Sequence, residues 1–334
     1  MISIICPVYN EEKYINIFIK SILKQDYLKK RFEILFIDGQ SNDNTRNIIK
    51  KYINSNIRLL NNPKRNVSSA MNIGIKESKG DIVIRLDAHS IYPSNYISTL
   101  VYFLFKLEAD NVGGRCITLP AKNRIICQAI ALAISSPFGV GNSHFRIGKK
   151  EIRKVDTVPF GCFRKSLFVK VGFYDEELIR NQDDELNARI IKNGGSIYLI
   201  PFLNIKYYAR SSIQKIAKMF YQYGLFKPLV NKKIGKITTY RQLFPALFFS
   251  GQILGFLLSP FFPSIFIVYF IVTFLYFSIS IYYSIHISIK KKKYSLSLIL
   301  PYIFFIIHIS YGFGYWHGIF KILLNKSFNV EINR

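Results

Sequence analysis

The stretch "IVIRLDAHS", Ile82 to Ser90, carries β-forming, mostly apolar residues straight into an acid, an alanine and a histidine. The change of character falls where a buried strand would stop, so Asp87 and His89 stand at a strand's carboxyl end. Earlier runs have the same β-forming character: "ISIIC" (Ile2 to Cys6), "FEILFID" (Phe32 to Asp38) and "IRLL" (Ile57 to Leu60) each read as a strand. Between the first two, Ile15, Phe18, Ile19, Ile22 and Leu23 follow the spacing that sets apolar side chains on one helical face. "SNDNT" after the second supplies capping residues for another helix. Strands alternating with helical patterns predict an α/β domain, a mostly parallel sheet with flanking helices.

In an open parallel sheet, ligands bind beyond the carboxyl ends of the strands. That rule collects Pro7, Tyr9, Asn10 and Glu11 after the first strand, Asp38 after the second, and Asp87 with His89 after the fourth. A dinucleotide site needs glycines after the first strand, and "CPVYNEE" has none, which excludes nicotinamide chemistry. A carboxylate such as Asp38 can accept a hydrogen bond from a base or ribose, and "DAH" sets two metal or ribose ligands on one side of an extended chain. A turn acid and a surface imidazole are the competing readings of that triplet. Further on, "RNQDDELNARI" holds Asp183, Asp184 and Glu185. Helical spacing pairs Glu185 with Arg189. Asp183 and Asp184 either favour the positive end of a helix or do chemistry.

Charge is uneven. The 334 residues carry 46 Lys and Arg against 20 Asp and Glu, a net +26, and after Glu185 the only acid is Glu331. Such an excess attracts nucleic acid, an anionic membrane face or substrate phosphates. Gln242 to Ile289 are 48 residues without Lys, Arg, Asp or Glu, against roughly 20 needed to cross a bilayer. Two spans fit, with a turn near Pro260 and Pro263. Lys290 to Lys293 interrupt, and Tyr294 to Phe320 are a further 27 residues without those four types, open as a third span or a re-entrant segment. The Lys tract is expected on the cytoplasmic side. "MISIICPVYNEEK" has no basic leader, so the first half is expected to stay there too. Lys206 to Arg241 has nine basic residues and no acid. Within it Ile213, Ile216, Ala217 and Phe220 share a helical face from which Lys215 and Lys218 are excluded, as on an interfacial helix. Adjoining the apolar segment, this block makes anionic membrane lipids the expected partner, and not nucleic acid. The expected division is a sheet domain at 1–205, a basic amphipathic linker at 206–241 and a membrane region at 242–325. Cys6, Cys116, Cys127 and Cys162 form no C-x-x-C pair, so neither a zinc site nor a disulfide framework is expected.

Taken in order, "ISIICPVYNEE", "ILFIDGQSNDNT", "NPKRNVSSAMNIGI", "GDIVIRLDAHS", "VPFGCFRKSLFVKVGFYDEEL" and "RNQDDELNARIIKNGG" resemble a family 2 glycosyltransferase of GT-A fold, in its membrane-attached exopolysaccharide branch of succinoglycan type. The resemblance implies a Rossmann-like domain followed by membrane helices. It implies a nucleotide-sugar site with Pro7, Tyr9, Glu11 and Asp38 around base and ribose, Arg65 near base or diphosphate, and Asp87 at ribose or metal. His89 stands where the family has the second acid of D-x-D, so a divalent metal, Mn²⁺ or Mg²⁺, would meet an imidazole that suits manganese better. Asp183 falls at the position of the catalytic base, with Asp184 as the second candidate and Gln182 where the family has glutamate. Where processive synthases carry Q-x-x-R-W, this chain has "QYGLF", Gln222 to Phe226, favouring transfer of one sugar. The implied acceptor is a polyprenyl-diphosphate-linked glycan whose phosphates Lys206, Arg210 and Lys227 could meet. A membrane-anchored scaffold that binds nucleotide sugar without turnover is the alternative.

Overall fold

The computed structural model describes residues 1–28, 31–148 and 150–328, in two compact units. One comprises Met1–Ile117 with Gly148–Tyr207, the other Thr118–Ile147 with the chain from Tyr208 onward. The stretch 118–147, inside the expected 1–205 domain, thus clusters with the later helices.

In the first unit, β1 (Ile2–Val8), α1 (Ile15–Leu23), β2 (Phe32–Asp38), α2 (Thr45–Lys50), β3 (Ile57–Asn61), α3 (Val67–Glu77) and β4 (Ile82–Arg85) alternate as expected. β1 pairs in parallel with β2 on one side and β4 on the other, and β2 with β3. Every residue of β1, β2 and β4 is buried, the reason they read as near-continuous apolar runs. α1 buries Ile15, Phe18, Ile19 and Ile22, the face its spacing requires. The polar exceptions are matched: Ser3 Oγ donates to Glu33 Oε1 at 2.6 Å, where Lys79 N also donates at 2.6 Å, and Arg58 Nη2 donates to Glu33 Oε2 at 3.1 Å.

The sheet then turns mixed. After β5 (Ser90–Ile91) and α4 (Tyr96–Lys106) come β6 (Asn111–Leu119), the short α5 (Ile125–Ala133), α6 (Pro137–Val140) and α7 (His144–Ile147), and β7 (Arg153–Lys154). β8 (Cys162–Arg164), α8 (Leu167–Val171), α9 (Gln182–Lys192) and β9 (Ile197–Tyr208) complete this part of the chain. The strand order is β3-β2-β1-β4-β8-β6-β9-β5, with β7 also on β9. β8 is antiparallel to β4 and β6, and β5 and β7 to β9. The parallel half therefore reverses direction of winding between β1 and β4, the switch point at whose carboxyl side ligands bind in such sheets.

The second unit is helical: α5 to α7 with α10 (Ile213–Ile234), α11 (Leu243–Leu258), α12 (Pro263–Lys291) and α13 (Leu296–Leu323). Among the described residues, three helices are long and apolar enough to cross a membrane: Tyr240–Leu258, Pro263–Lys291 and Leu296–Leu323. α12 begins at Pro263 in the first turn, where proline costs no hydrogen bond. α10 exposes Lys215 and Lys218 and buries Ile216 and Phe220, as its amphipathic pattern requires. Its second half is different, because Gly224 lies so close to α13 that a Cβ there would sit 2.1 Å from Tyr311 O. Lys227, read from sequence as a surface cation, is buried in that half.

Candidate active site

The switch point is built from loops that the strands hand over in register. Val8 pairs with Asp38, so the loops after β1 and β2 leave the sheet side by side. Asn10, with φ +54°, turns the first loop and donates its N–H to Ser41 Oγ at 2.9 Å, while Asn42 N donates to Asn10 Oδ1 at 3.0 Å. Glu11 N donates to Thr45 Oγ1 at 2.7 Å. Asp38, fully buried, accepts from Ser41 Oγ at 2.6 Å and from Arg46 Nη1 at 2.5 Å. Pro7 is buried within β1 and Tyr9 is half-buried just beyond it. Arg65, at φ +58° after β3, donates from Nε and Nη2 to Gln40 Oε1 at 2.9 and 2.6 Å. A Cβ on Gly39 would stand 3.5 Å from both Arg65 Cα and Tyr9 Cβ, so Tyr9, Gly39 and Arg65 adjoin.

At the end of β4 the arrangement is electrostatic. Arg85 is 5% exposed. Its Nε and Nη2 donate to Asp87 Oδ1, each at 3.3 Å, and its Nη1 donates to Asp183 Oδ1 on the first turn of α9. Burial alone would lower the proton affinity of the guanidinium, but Asp183 and then Asp87 more than offset this and raise it. The Asp183 carboxyl is pushed above the usual carboxylate range: loss of solvent is the largest cause, Arg85 opposes it, and Asp87 and Asp184 add to it. Tyr92 Oη receives the Asp87 N–H at 2.9 Å. His89 Nδ1 lies 3.4 Å from Glu11 Oε1, and its ring meets Tyr207 edge-on at 5.7 Å between centroids.

The predicted residues therefore fall into three linked groups. Asp38 joins the β1 loop through Ser41 and Asn10, Glu11 reaches His89, and Asp87 shares a guanidinium with Asp183. Tyr9 and Arg65 adjoin across Gly39, and Asp184 acts on Asp183 through charge. α9 is fixed by Asn187, whose Nδ2 donates to Thr157 Oγ1 at 2.9 Å and whose Oδ1 accepts from Asn111 Nδ2 at 2.8 Å. Glu185 and Arg189 form the expected pair at 2.5 and 2.7 Å. The sequence expectations omit Arg85, Arg46 and Tyr174. Arg85 did carry a signal, a basic residue closing a strand that is otherwise Ile-Val-Ile, where burial demands a carboxylate partner.

No three His, Cys, Asp or Glu side chains among the described residues are grouped to hold a metal ion. Asp87 and His89 nevertheless fit one that takes its other ligands from diphosphate and water. His89 Nδ1 lies beside the Glu11 carboxylate, the kind of neighbour by which a carboxylate orients a ligating histidine.

A mixed sheet with flanking helices, whose parallel half reverses its winding at a switch point, is the GT-A architecture. The solved S. aureus TarS 1-349 shares the fold, with a TM-score of 0.52 at 17% identity over 99% of this chain and 94% of that one. The sequence model of glycosyl transferase family 2 matches residues 3–168. A dolichyl N-acetyl-alpha-D-glucosaminyl phosphate 3-beta-D-2,3-diacetamido-2,3-dideoxy-beta-D-glucuronosyltransferase of Methanococcus voltae is 31% identical over 327 residues, 96% of this chain and 97% of that one. Succinoglycan biosynthesis protein ExoA of Rhizobium meliloti is 31% identical over 224 residues, 66% of each chain. The chain belongs to glycosyl transferase family 2 and is a glycosyltransferase.

Proposed function

We propose that this enzyme moves one sugar from a nucleotide-sugar donor to a polyprenyl-linked glycan, with inversion, at the cytoplasmic face of the membrane that its apolar helices enter. The observation that carries the reading is the Arg85 guanidinium shared by Asp87 and Asp183. It puts a donor-side and an acceptor-side carboxylate at one spot. Pro7, Tyr9, Glu11, Asp38 and Arg65 hold base, ribose and diphosphate. Asp87 and His89 would hold a divalent metal, which would supply positive charge to the departing diphosphate. The acceptor oxygen forms the new bond to the anomeric carbon as that carbon's bond to the diphosphate oxygen breaks. The electron pair leaves with the nucleoside diphosphate, and the hydroxyl proton passes to Asp183. A single displacement of this kind inverts the anomeric centre.

The lipid-linked acceptor is supported by the Methanococcus voltae relative, which is named for a dolichyl-linked substrate and aligns along nearly the whole chain. Lys290 to Lys293, which end α12 and open the turn before α13, support a cytoplasmic turn and anionic lipid contact. "QYGLF" in place of Q-x-x-R-W supports single addition.

The test is transfer by the full chain in lipid nanodiscs, with and without Mn²⁺, from UDP-glucose, UDP-galactose, UDP-N-acetylglucosamine and GDP-mannose to polyprenyl-linked N-acetylglucosamine. Asp183→Asn is expected to lose about 10²- to 10⁴-fold in rate, the usual worth of a general base, while still binding donor in titration calorimetry. Wild-type transfer by Asp183→Asn would remove the base assignment, and product of retained configuration would remove the single displacement.

A further inference from the structure

Arg85 is unfavourable to the fold by itself. A guanidinium taken out of water costs several kcal/mol unless carboxylates answer it, and its neighbours along β4, Val83 and Ile84, and its register partner Ile5 are apolar. The sheet has no packing need for a cation here. The two acids that answer Arg85 are those given work at the site, and they lie on separate elements. Asp87 follows the strand by two residues, whereas Asp183 is 98 residues away on α9.

We propose that Arg85 is a positioning residue of the transfer reaction: one guanidinium, lodged between Asp87 and Asp183, sets the direction and spacing of the donor-side and proton-accepting carboxylates. The inference rests on the reading of Asp183 as the base. The two arms of the planar fork serve different acids, Nη1 to Asp183 and the Nε–Nη2 edge to Asp87. Such a fork fixes orientation as well as separation, which the single ammonium of lysine cannot do. Both ends of the frame are stiff. Arg85 N donates to Gly161 O at 3.0 Å and Leu86 N to Ile5 O at 3.0 Å, while α9 is tied to Asn111 and Thr157 through Asn187. Tyr174 completes the surround: it lies close enough for its hydroxyl to feel the charge of Arg85 and of Asp183, and its own backbone is clamped by Asn72, which donates to Tyr174 O and accepts from Tyr174 N, both at 2.9 Å. The groups that act on Asp183 are thus Arg85 from β4, Asp87 from the loop after it, Asp184 from α9 and Tyr174 from the segment before it. Arg85 supplies the positive charge among them. Without it Asp87, Asp183 and Asp184 repel one another and lose their common reference.

The experiment compares Arg85→Lys, Arg85→Ala and Asp183→Asn in the full chain in nanodiscs, using whichever donor of the four above the wild type turns over fastest. Arg85→Lys keeps the charge that the fold needs, and its kcat is expected to fall about 10- to 100-fold, the effect of misplacing a reacting group by roughly 1 Å. Its donor KM is expected to stay within about threefold, the mark of an interaction used in the transition state. Arg85→Ala is expected to be slower still and to regain part of its kcat with added guanidinium at about 50 mM, which restores the missing fork. Asp183→Asn gains nothing from that ion. Wild-type kcat in Arg85→Lys overturns the inference, as does an Arg85→Ala loss that guanidinium leaves unchanged and that matches its loss of folded protein. If Asp183→Asn transfers normally, it is the base reading that falls. If Asp183→Asn is silent and Arg85→Lys is fast, the positioning role alone falls.

Discussion

The sheet unit and the helical unit are held together by opposite means. Buried charge is used freely in the first: Glu33 with Ser3, Lys79 N and Arg58, Asp38 with Arg46, and Arg85 with two carboxylates. The second contains no Asp or Glu before Glu331. There the helices meet by removing side chains. A Cβ on Gly224, Gly314 or Gly318 would lie 2.1, 2.1 and 2.3 Å from a carbonyl oxygen of the facing helix. Such close backbone approach brings many atoms of the two helices into van der Waals contact, which supplies attraction without ions. The difference teaches where this sequence places buried ions: within the sheet unit, where each has a partner of opposite charge, and not in the helical unit, which before Glu331 has no acid to supply one.

The strongest way to break the comparison is to put a side chain into the helix pair. Gly314→Leu drives its Cβ against Tyr221 O, a backbone atom that cannot swing aside. The expected loss is about 3 kcal/mol or more, at the upper end of overpacking effects. Gly251→Ala is the control, since a Cβ there meets nothing within 4 Å, and helix propensity alone predicts a gain of up to about 1 kcal/mol. Thermal unfolding in detergent compares the two. Equal melting temperatures would mean that the α10–α13 contact contributes nothing to the unit.

The sheet unit should instead respond to the loss of one charge. Glu33→Gln weakens the acceptor shared by Ser3, Lys79 N and Arg58, with an expected cost of about 1–3 kcal/mol for buried groups left badly matched. The sign with pH follows from the folded carboxyl. Burial would raise its proton affinity, but the Ser3, Lys79 and Arg58 interactions outweigh burial and lower it. The stability it confers is therefore present above its ordinary value of 4.5 and is lost as pH falls through the lower folded value. Denaturant titrations from neutral to acid pH should find a shallower acid loss in Glu33→Gln than in the wild type. Parallel curves would contradict this.

The same contrast explains what could be read from the sequence. β2 was legible to the residue and β1 nearly so, because parallel strands buried on both faces write continuous apolar runs. The turn at Pro260 and Pro263 was legible because α11 ends at Leu258 and proline can only open the next helix. β5 to β9 were not legible. β5, β7 and β8 are two or three residues long, and what makes them strands is the partner across the ladder, β9 or β4, rather than any pattern of their own. β6 is interrupted by Gly113 and Gly114 and β9 by Pro201, which break the run a long strand would otherwise show. In the site, residues that follow strands were found by position. Links between distant segments were not: Arg85 to Asp183, His89 to Glu11 and Asp38 to Arg46 depend on which loops the topology brings together. The amphipathic pattern of Lys206 to Arg241 likewise read correctly for Lys215 and Lys218 but missed the burial of Lys227, because the partner helix lies some hundred residues on.

The smallest expected effect bears on how finely charge is balanced at the site. Gln182, buried beside Asp183 at the start of α9, stands where the family resemblance has glutamate. Asp183 is already pushed above the ordinary carboxylate value by burial, and then by Asp87 and Asp184, against the pull of Arg85. With Asp183 as the proposed base, which works only when ionised, transfer should fall as pH drops through that raised value, so the acid limb of kcat/KM lies above 3.8. Gln182→Glu adds a like charge next to it, which favours the protonated form and moves the limb to higher pH. At pH 8 the rate should stay within about twofold of wild type, since both bases are then ionised. A limb that moves down instead would mean that a carboxylate at 182 draws Arg85 toward itself and enlarges the cationic frame, and the charge balance assigned to Asp183 would have to be redrawn around that pair.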